Sequence, residues 1–323
     1  MSEVSDVMVG QHRGLQQCSS PTGRITIMAL DHRQNLRRML HPSDPSSATY
    51  AELVQFKRTA VRALSDLATG VLLDPELGAA QCIADGSLPG HVGLVTALEA
   101  TGYEGPATER RSRLLQGWSA AKARNLGASA CKLLVYYHPE AANRAAQEAL
   151  VSEAIAQCRA VGLPIFVETL CYSIQEGSPF EGEERRRIIT RTASTMSTLG
   201  ADVLKLQFPY GPEVTDRGRW REACAEITEV ARRPWVLLSG ESPPDAFVEL
   251  AEVACREGAS GIACGRGIWT EAPALPEAER EQFFMTVARE RLKRLYDIVE
   301  AHAHPWTKAY PSIDADLEGW YRN

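Results

Sequence analysis

The 323-residue chain is predicted to fold as a single α/β domain of the (β/α)8 class, a TIM barrel. Three observations predict it. Eight short β-rich runs recur along the sequence, amphipathic helix-favouring stretches separate most of them, and no long Pro- or Ser-rich linker follows residue 50. Alternation of strand and helix implies parallel strands joined by crossovers, and eight units close a barrel more readily than they extend an open sheet.

The runs are RITIMALD (24–31), GVLLD (70–74), HVGLVTAL (91–98), CKLLVYY (131–137), PIFVETL (164–170), DVLKLQF (202–208), PWVLLSG (234–240) and SGIACGRG (260–267). Each is short, rich in β-branched or other apolar residues, and bounded by Gly, Pro, Asp or Ser. Between them, YAELVQFKRTAVRALSDLA, RRSRLLQGWSAAKARNLG, EAANRAAQEALVSEAIAQCRAVG, GEERRRIITRTASTMSTLG, GRWREACAEITEVARR and PPDAFVELAEVACREG carry helical periodicity. The gap between the second and third runs is short and holds one helical turn at most. SIQEGSPFEGEE (173–184) reads as a long loop after the fifth strand, and AEREQFFMTVARERLKRLYDIVEAHA as the closing helix. The organisation expected is an N-terminal extension (1–20), a barrel (21–305) and a C-terminal tail (306–323) containing Trp306 and Trp320.

Composition narrows the function. With 44% hydrophobic residues, 24% charged residues and a net charge of −6, the chain lacks the basic excess of a nucleic-acid binder. No apolar run has the length of a membrane span and the first residues lack a hydrophobic signal core, so a cytoplasmic protein is expected. Eight cysteines without a CxxC pair read as reduced, buried thiols. The His302-x-His304 pair reads as solvated helix-end histidines, and no metal is expected. EERRRIITR reads as a solvated helix face.

One strand breaks its own pattern. ADVLKLQFP (201–209) places Lys205 between Leu204 and Leu206, and lysines are seldom buried without a partner or a task. Strand alternation puts Val203, Lys205 and Gln207 on one face and the leucines on the other. If the leucines meet the helices, Lys205 points into the barrel near the carboxyl ends of the strands, where barrel enzymes keep their chemistry. The same parity brings Lys132 and Glu168 inward, and Asp31, Asp74 and Ser239 with Gly240 stand at strand ends. An internal salt-bridge network would be the structural alternative. Desolvation and a second cation both favour the neutral amine of a lysine, which can then attack a carbonyl to form a Schiff base, with a glutamate carrying protons. LLSGES and ACGRG, in the seventh and eighth units, suit a phosphate: Gly240, Gly265 and Gly267 permit close approach and Arg266 offers a guanidinium fork.

ALDHRQNLRRML, LLDPELG, TGYEG, ACKLLVYYHPE, LPIFVETLCYS, ADVLKLQFP, PWVLLSGES and GIACGRGIW together resemble the class I tagatose-1,6-bisphosphate aldolases and related sulfofructose-phosphate aldolases of the DeoC/LacD superfamily. The resemblance implies that Lys205 forms the Schiff base, that Lys132, Glu168 and Asp31 sit beside it, and that Arg266 binds the ketose 1-phosphate. Ser239, Gly240, Gly265, Arg33 and Gln207 complete the expected substrate contacts. This chain departs from the family pattern at His32, Gln207 and Gly240-Glu241, and His32 and Glu241 bear on what the far end of the substrate can be.

The implied activity is reversible cleavage of a ketose 1-phosphate, with D-tagatose 1,6-bisphosphate giving dihydroxyacetone phosphate and glyceraldehyde 3-phosphate. The alternative 6-deoxy-6-sulfofructose 1-phosphate would give sulfolactaldehyde instead. A non-catalytic sugar-phosphate sensor is a third reading. No cofactor, nucleic acid or membrane partner is implied, and a homo-oligomer acting on a small sugar phosphate is expected.

Overall fold

The computed structural model describes residues 6–313, so Trp320 lies outside the described residues. Eight parallel strands close into one barrel in sequential order. They are β1 (Ile25–Ala29), β2 (Gly70–Leu73), β3 (Gly93–Ala97), β4 (Ala130–Tyr136), β5 (Ile165–Leu170), β6 (Val203–Leu206), β7 (Trp235–Leu238) and β8 (Gly261–Cys264). All eight predicted runs therefore contain a strand, and β1 pairs with β8 to complete the ring.

The helices are α1 (Asp6–Gln17), α2 (Gln34–Leu40), α3 (Tyr50–Leu64), α4 (Ala79–Ala84), α5 (Ala120–Leu126), α6 (Arg144–Arg159), α7 (Gly182–Leu199), α8 (Arg217–Ala231), α9 (Pro244–Arg256), α10 (Arg266–Trp269), α11 (Glu277–Phe283) and α12 (Arg289–His302). A π-helical turn, Phe284–Ala288, joins the last two into the closing helix. Local chemistry sets several of these starts. Thr49 and Glu52 form a reciprocal capping box on α3, which satisfies amides that the first turn would leave unpaired. No helix among the described residues is long and apolar enough to cross a membrane. The eight cysteines are free and buried.

One segment differs from the sequence expectation. Within RRSRLLQGWSAAKARNLG only Ala120–Leu126 is helical; Ser119 caps α5 by accepting from the Lys122 amide at 3.3 Å. Residues before it form a ribbon over the barrel mouth, with Glu99 bridged to Leu114 and Glu104 to Arg111. Gly102 and Gly105 turn the ribbon with positive φ, and Gly117, inside the segment expected to be helical, does the same, a conformation incompatible with a continuing helix. At the other end, the N-terminal segment is ordered as α1. Leu15 and Cys18 join Trp306 in closing the amino-terminal mouth, and Trp306 donates to Ser19 Oγ at 3.0 Å.

Strand parity separates two cores. Val71, Leu133, Val167, Leu204, Leu206 and Leu237 face the helices, whereas Ile27, Leu72, Val95, Ala130, Phe166, Val203, Val236 and Ala263 fill the barrel. Above that apolar floor the inward positions become charged. On β4 Ala130 gives way to Lys132, on β5 Phe166 to Glu168, and on β6 Val203 to Lys205. The register sets Glu168 opposite Lys205, whereas Lys132 pairs with Phe166 one inward position lower, and its long side chain brings Nζ to within 3.0 Å of Glu168.

Candidate active site

Lys205 enters from β6 with 4% of its surface exposed, and its Nζ lies 2.9 Å from Glu168 Oε2. The same oxygen lies 3.0 Å from Lys132 Nζ. Lys132, fully buried, also reaches Asp31 Oδ2 and Glu99 Oε1, each at 2.6 Å. The two lysines therefore have unequal surroundings. Among the described residues Lys132 is held by three carboxylates and Lys205 by one.

The electrostatics follow from that geometry. Burial works to lower the Lys132 pKa, but Asp31, Glu168 and Glu99 outweigh it and hold it well above the ordinary lysine value. For Asp31, burial is opposed by the charges of Lys132 and Lys205 and by the Lys132 hydrogen bond, leaving it well below the usual carboxylate range. Glu168 is lowered in the same way, by Lys132 and then Lys205 acting against burial. Asp31 and Glu168 are thus ionised and Lys132 is a fixed cation.

Glu99 was not singled out in the sequence. It follows the apolar β3 run by two residues, and its Oε2 accepts from the Leu134 amide at 3.0 Å. An acidic residue at the carboxyl end of an apolar run, as with Asp31, was the available signal. Arg33 secures it: one terminal nitrogen donates to the Glu99 carbonyl at 2.7 Å and lies 3.8 Å from its carboxylate, and the other binds Glu76 at 2.6 Å. Arg33 lines the cavity with both terminal nitrogens engaged.

The cavity above these groups measures about 130 Å³, and its walls include Asp31, His32, Arg33, Glu99, Tyr136, Glu168, Lys205, Ser239, Gly240, Gly265 and Arg266. On its β7–β8 side, Ser239 Oγ accepts from the Gly265 and Gly267 amides at 3.3 and 3.5 Å. Gly240 has φ of +55°, and a Cβ on Gly265 would come within 2.8 Å of the Ala29 carbonyl and 3.0 Å of the His32 ring. Arg266 stands beside them, one terminal nitrogen donating to the exposed Glu241 at 2.9 Å. His32 packs edge-on against Trp269 at 5.1 Å, and burial, together with Arg266 and Lys205, pulls its pKa down to about 4 despite the attraction of Asp31.

Two expectations are corrected. Asp74 does not join the cluster: it makes a fully buried ion pair with Lys57 of α3, and its other oxygen accepts from the Glu76 and Leu77 amides at 3.0 and 2.8 Å. Its strand ends pointing at the helix layer, where a lysine inside an amphipathic stretch was waiting. Gln207 lies beyond the end of β6 and outside the cavity wall, and its Oε1 accepts from the Cys171 amide at 2.7 Å. Strand parity stops applying where the chain leaves the sheet. His302 takes a hydrogen bond with Arg256 at 3.0 Å, and among the described residues no three His, Cys, Asp or Glu side chains gather as a metal site.

Comparison with known proteins gives the family and the fold. Tagatose 1,6-diphosphate aldolase of Lactococcus lactis subsp. lactis is 27% identical over 320 residues, covering 92% of this chain and 97% of that protein. The tagatose 1,6-diphosphate aldolase of Listeria monocytogenes serotype 4a is 26% identical, covering 94% and 96%. The fold is similar to that of an archaeal fructose 1,6-bisphosphate aldolase, with a TM-score of 0.60, 21% identity and coverage of 88% and 98%. It is also similar to a fructose-bisphosphate aldolase from Slackia heliotrinireducens, with a TM-score of 0.63, 18% identity and coverage of 93% and 92%. The profile of the DeoC/LacD family aldolases matches residues 25–271, which run from β1 through the Arg266 turn and include every charged group of the cluster, and the chain belongs to that family of aldolases.

Proposed function

We propose that the chain is a class I aldolase that uses Lys205 as its Schiff-base residue and reversibly cleaves a ketose 1-phosphate, D-tagatose 1,6-bisphosphate first among them, to dihydroxyacetone phosphate and glyceraldehyde 3-phosphate. The observation that carries this reading is the inequality of the two lysines on one glutamate. Three carboxylates keep Lys132 charged, and a charged ammonium has no lone pair to offer. Lys205 stands at the cavity wall with one carboxylate 2.9 Å away to accept its proton.

The chemistry runs through that contact. Lys205 passes a proton to Glu168, and the free amine attacks the C2 carbonyl. Glu168 returns the proton to the carbinolamine hydroxyl, which leaves as water and generates the iminium. As a carboxylate again, Glu168 takes the C4 hydroxyl proton; the C3–C4 electron pair moves into the iminium, the aldehyde departs and an enamine remains. Protonation at C3 and hydrolysis release dihydroxyacetone phosphate and restore Lys205. Lys132 holds Glu168 in place and stabilises its anionic state, while Asp31 and Glu99 hold Lys132. Ser239, Gly240, Gly265 and Arg266 line the side suited to the 1-phosphate.

Borohydride reduction in the presence of dihydroxyacetone phosphate tests the assignment. The expected product is a secondary amine on the peptide containing Lys205, absent from a folded Lys205→Met variant. Labelling of Lys132 instead would exchange the two roles. Turnover without any adduct would remove the Schiff-base mechanism, and phosphate binding without turnover would favour the sensor.

A further inference from the structure

The ribbon of residues 98–118 contains the TGYEG segment, for which the chemistry above has no use. It delivers Arg110 into a ring of three tyrosines, with the guanidinium carbon 5.0 Å from the Tyr103 ring centroid, 5.6 Å from Tyr136 and 4.7 Å from Tyr172. The residue is tied on three sides. Its amide donates to Tyr172 Oη at 3.2 Å, its carbonyl accepts from Asn143 at 2.8 Å, and its Nε donates to the Ala107 carbonyl at 3.0 Å. Its two terminal nitrogens have no hydrogen-bond or ion-pair partner among the described residues. An arginine stacked on aromatic faces and held by Nε is pre-organised to present its remaining edge to an oxyanion.

Its location indicates which oxyanion. Tyr136, one face of the ring, lines the catalytic cavity, and on β4 it lies two residues beyond Leu134, the register partner of Glu168. That places Tyr136 about 7 Å further towards the mouth than the Glu168 level. Arg110 and Tyr172 are outside the wall of the catalytic cavity and border a second cavity of about 460 Å³, whose wall also includes Thr108, Ser173 and Gln175. The strands carrying these elements, β3 to β5, lie across the closed barrel from β7 and β8, where Ser239 and Arg266 stand. A sugar joined through C2 to Lys205, with its 1-phosphate on the β7–β8 side, must send its other end towards β3–β5. We propose that Arg110, oriented by Tyr103, Tyr136 and Tyr172, binds the distal tetrahedral oxyanion of the substrate, a phosphate or a sulfonate. This rests on the Schiff-base aldolase reading.

The test compares cleavage of three ketose 1-phosphates, bearing a distal phosphate, sulfonate or hydroxyl, by the wild type, Arg110→Ala and Arg110→Lys. The expected result is that the ratio of kcat/KM for a distal-anion substrate over the hydroxyl substrate falls on the order of ten- to hundredfold in Arg110→Ala. Arg110→Lys should recover part of that ratio, since it keeps the charge without the planar fork. A fall for the phosphate, the sulfonate or both supports the assignment and names the group. An unchanged ratio, or equal losses on all three substrates, overturns it. Borohydride trapping of dihydroxyacetone phosphate is run alongside: if the wild type forms no adduct, the aldolase reading fails and takes this one with it, whereas an adduct with an unchanged ratio overturns the Arg110 assignment alone.

Discussion

Replacing Lys132 with methionine tests whether its charge organises the site while Lys205 reacts, as proposed. In the native protein its ammonium lies 2.6, 2.6 and 3.0 Å from Asp31, Glu99 and Glu168. Methionine fills a similar volume, so the packing loss is small. Among the described residues, however, the carboxylates keep only Lys205, 2.9 Å from Glu168, and Arg33, 3.8 Å from Glu99. Leaving buried charge uncompensated costs about 3–5 kcal/mol. The pH dependence has a definite sign. In the wild type, Asp31 and Glu168 have depressed values, so their contribution is present above the unfolded carboxylate pKa of about 4 and is lost as pH falls through the folded values. Without Lys132, burial and mutual repulsion push the carboxylates up, and the variant's deficit grows as pH rises from about 4 towards neutrality. Urea unfolding of both proteins at pH 5 and pH 8 should therefore show a gap that widens at pH 8. Borohydride trapping at Lys205 should slow, because Glu168 loses the neighbour 3.0 Å away that holds it in place. A gap that is the same at both pH values, or one under about 1 kcal/mol at pH 8, would refute the claim that Lys132 neutralises this cluster.

Arg266→Ala should weaken ketose 1-phosphate binding by about 1.5–3 kcal/mol through loss of a charge-assisted contact, read as a raised KM; equal losses on a substrate without the 1-phosphate would make Arg266 structural. Glu241→Gln should lower the same KM, by no more than about fivefold, because an exposed pair is worth at most about 1 kcal/mol and its carboxylate competes with the phosphate for Arg266. Asp74→Asn should destabilise by about 3–5 kcal/mol by leaving Lys57 buried without its counter-charge, while kcat/KM per trapped active site is retained; a stable variant with lost turnover would return Asp74 to the chemistry.

The barrel and the inward direction of Lys132, Glu168 and Lys205 could be read from the chain because both depend on local periodicity: apolar runs of strand length, and side chains alternating with a period of two. Gly265 and Arg266, at the end of the eighth run, line the same cavity as Glu168 and Lys205. What each charged group pairs with was beyond that reach. Asp31 and Asp74 both end apolar strands, yet Asp31 meets Lys132, 101 residues away, and Asp74 meets Lys57 of a neighbouring helix. Glu99 enters the cluster because β3 and β4 are neighbours in a closed ring, and Arg110 reaches its tyrosines because the ribbon that precedes α5 turns at glycines with positive φ. Alternation along a strand fixes which way a side chain points, but Coulomb energies depend on separations across strands, and those are set by barrel stagger and loop path. Only the tertiary structure therefore decided that, among the described residues, one lysine is locked among three carboxylates and the other lies against a single one.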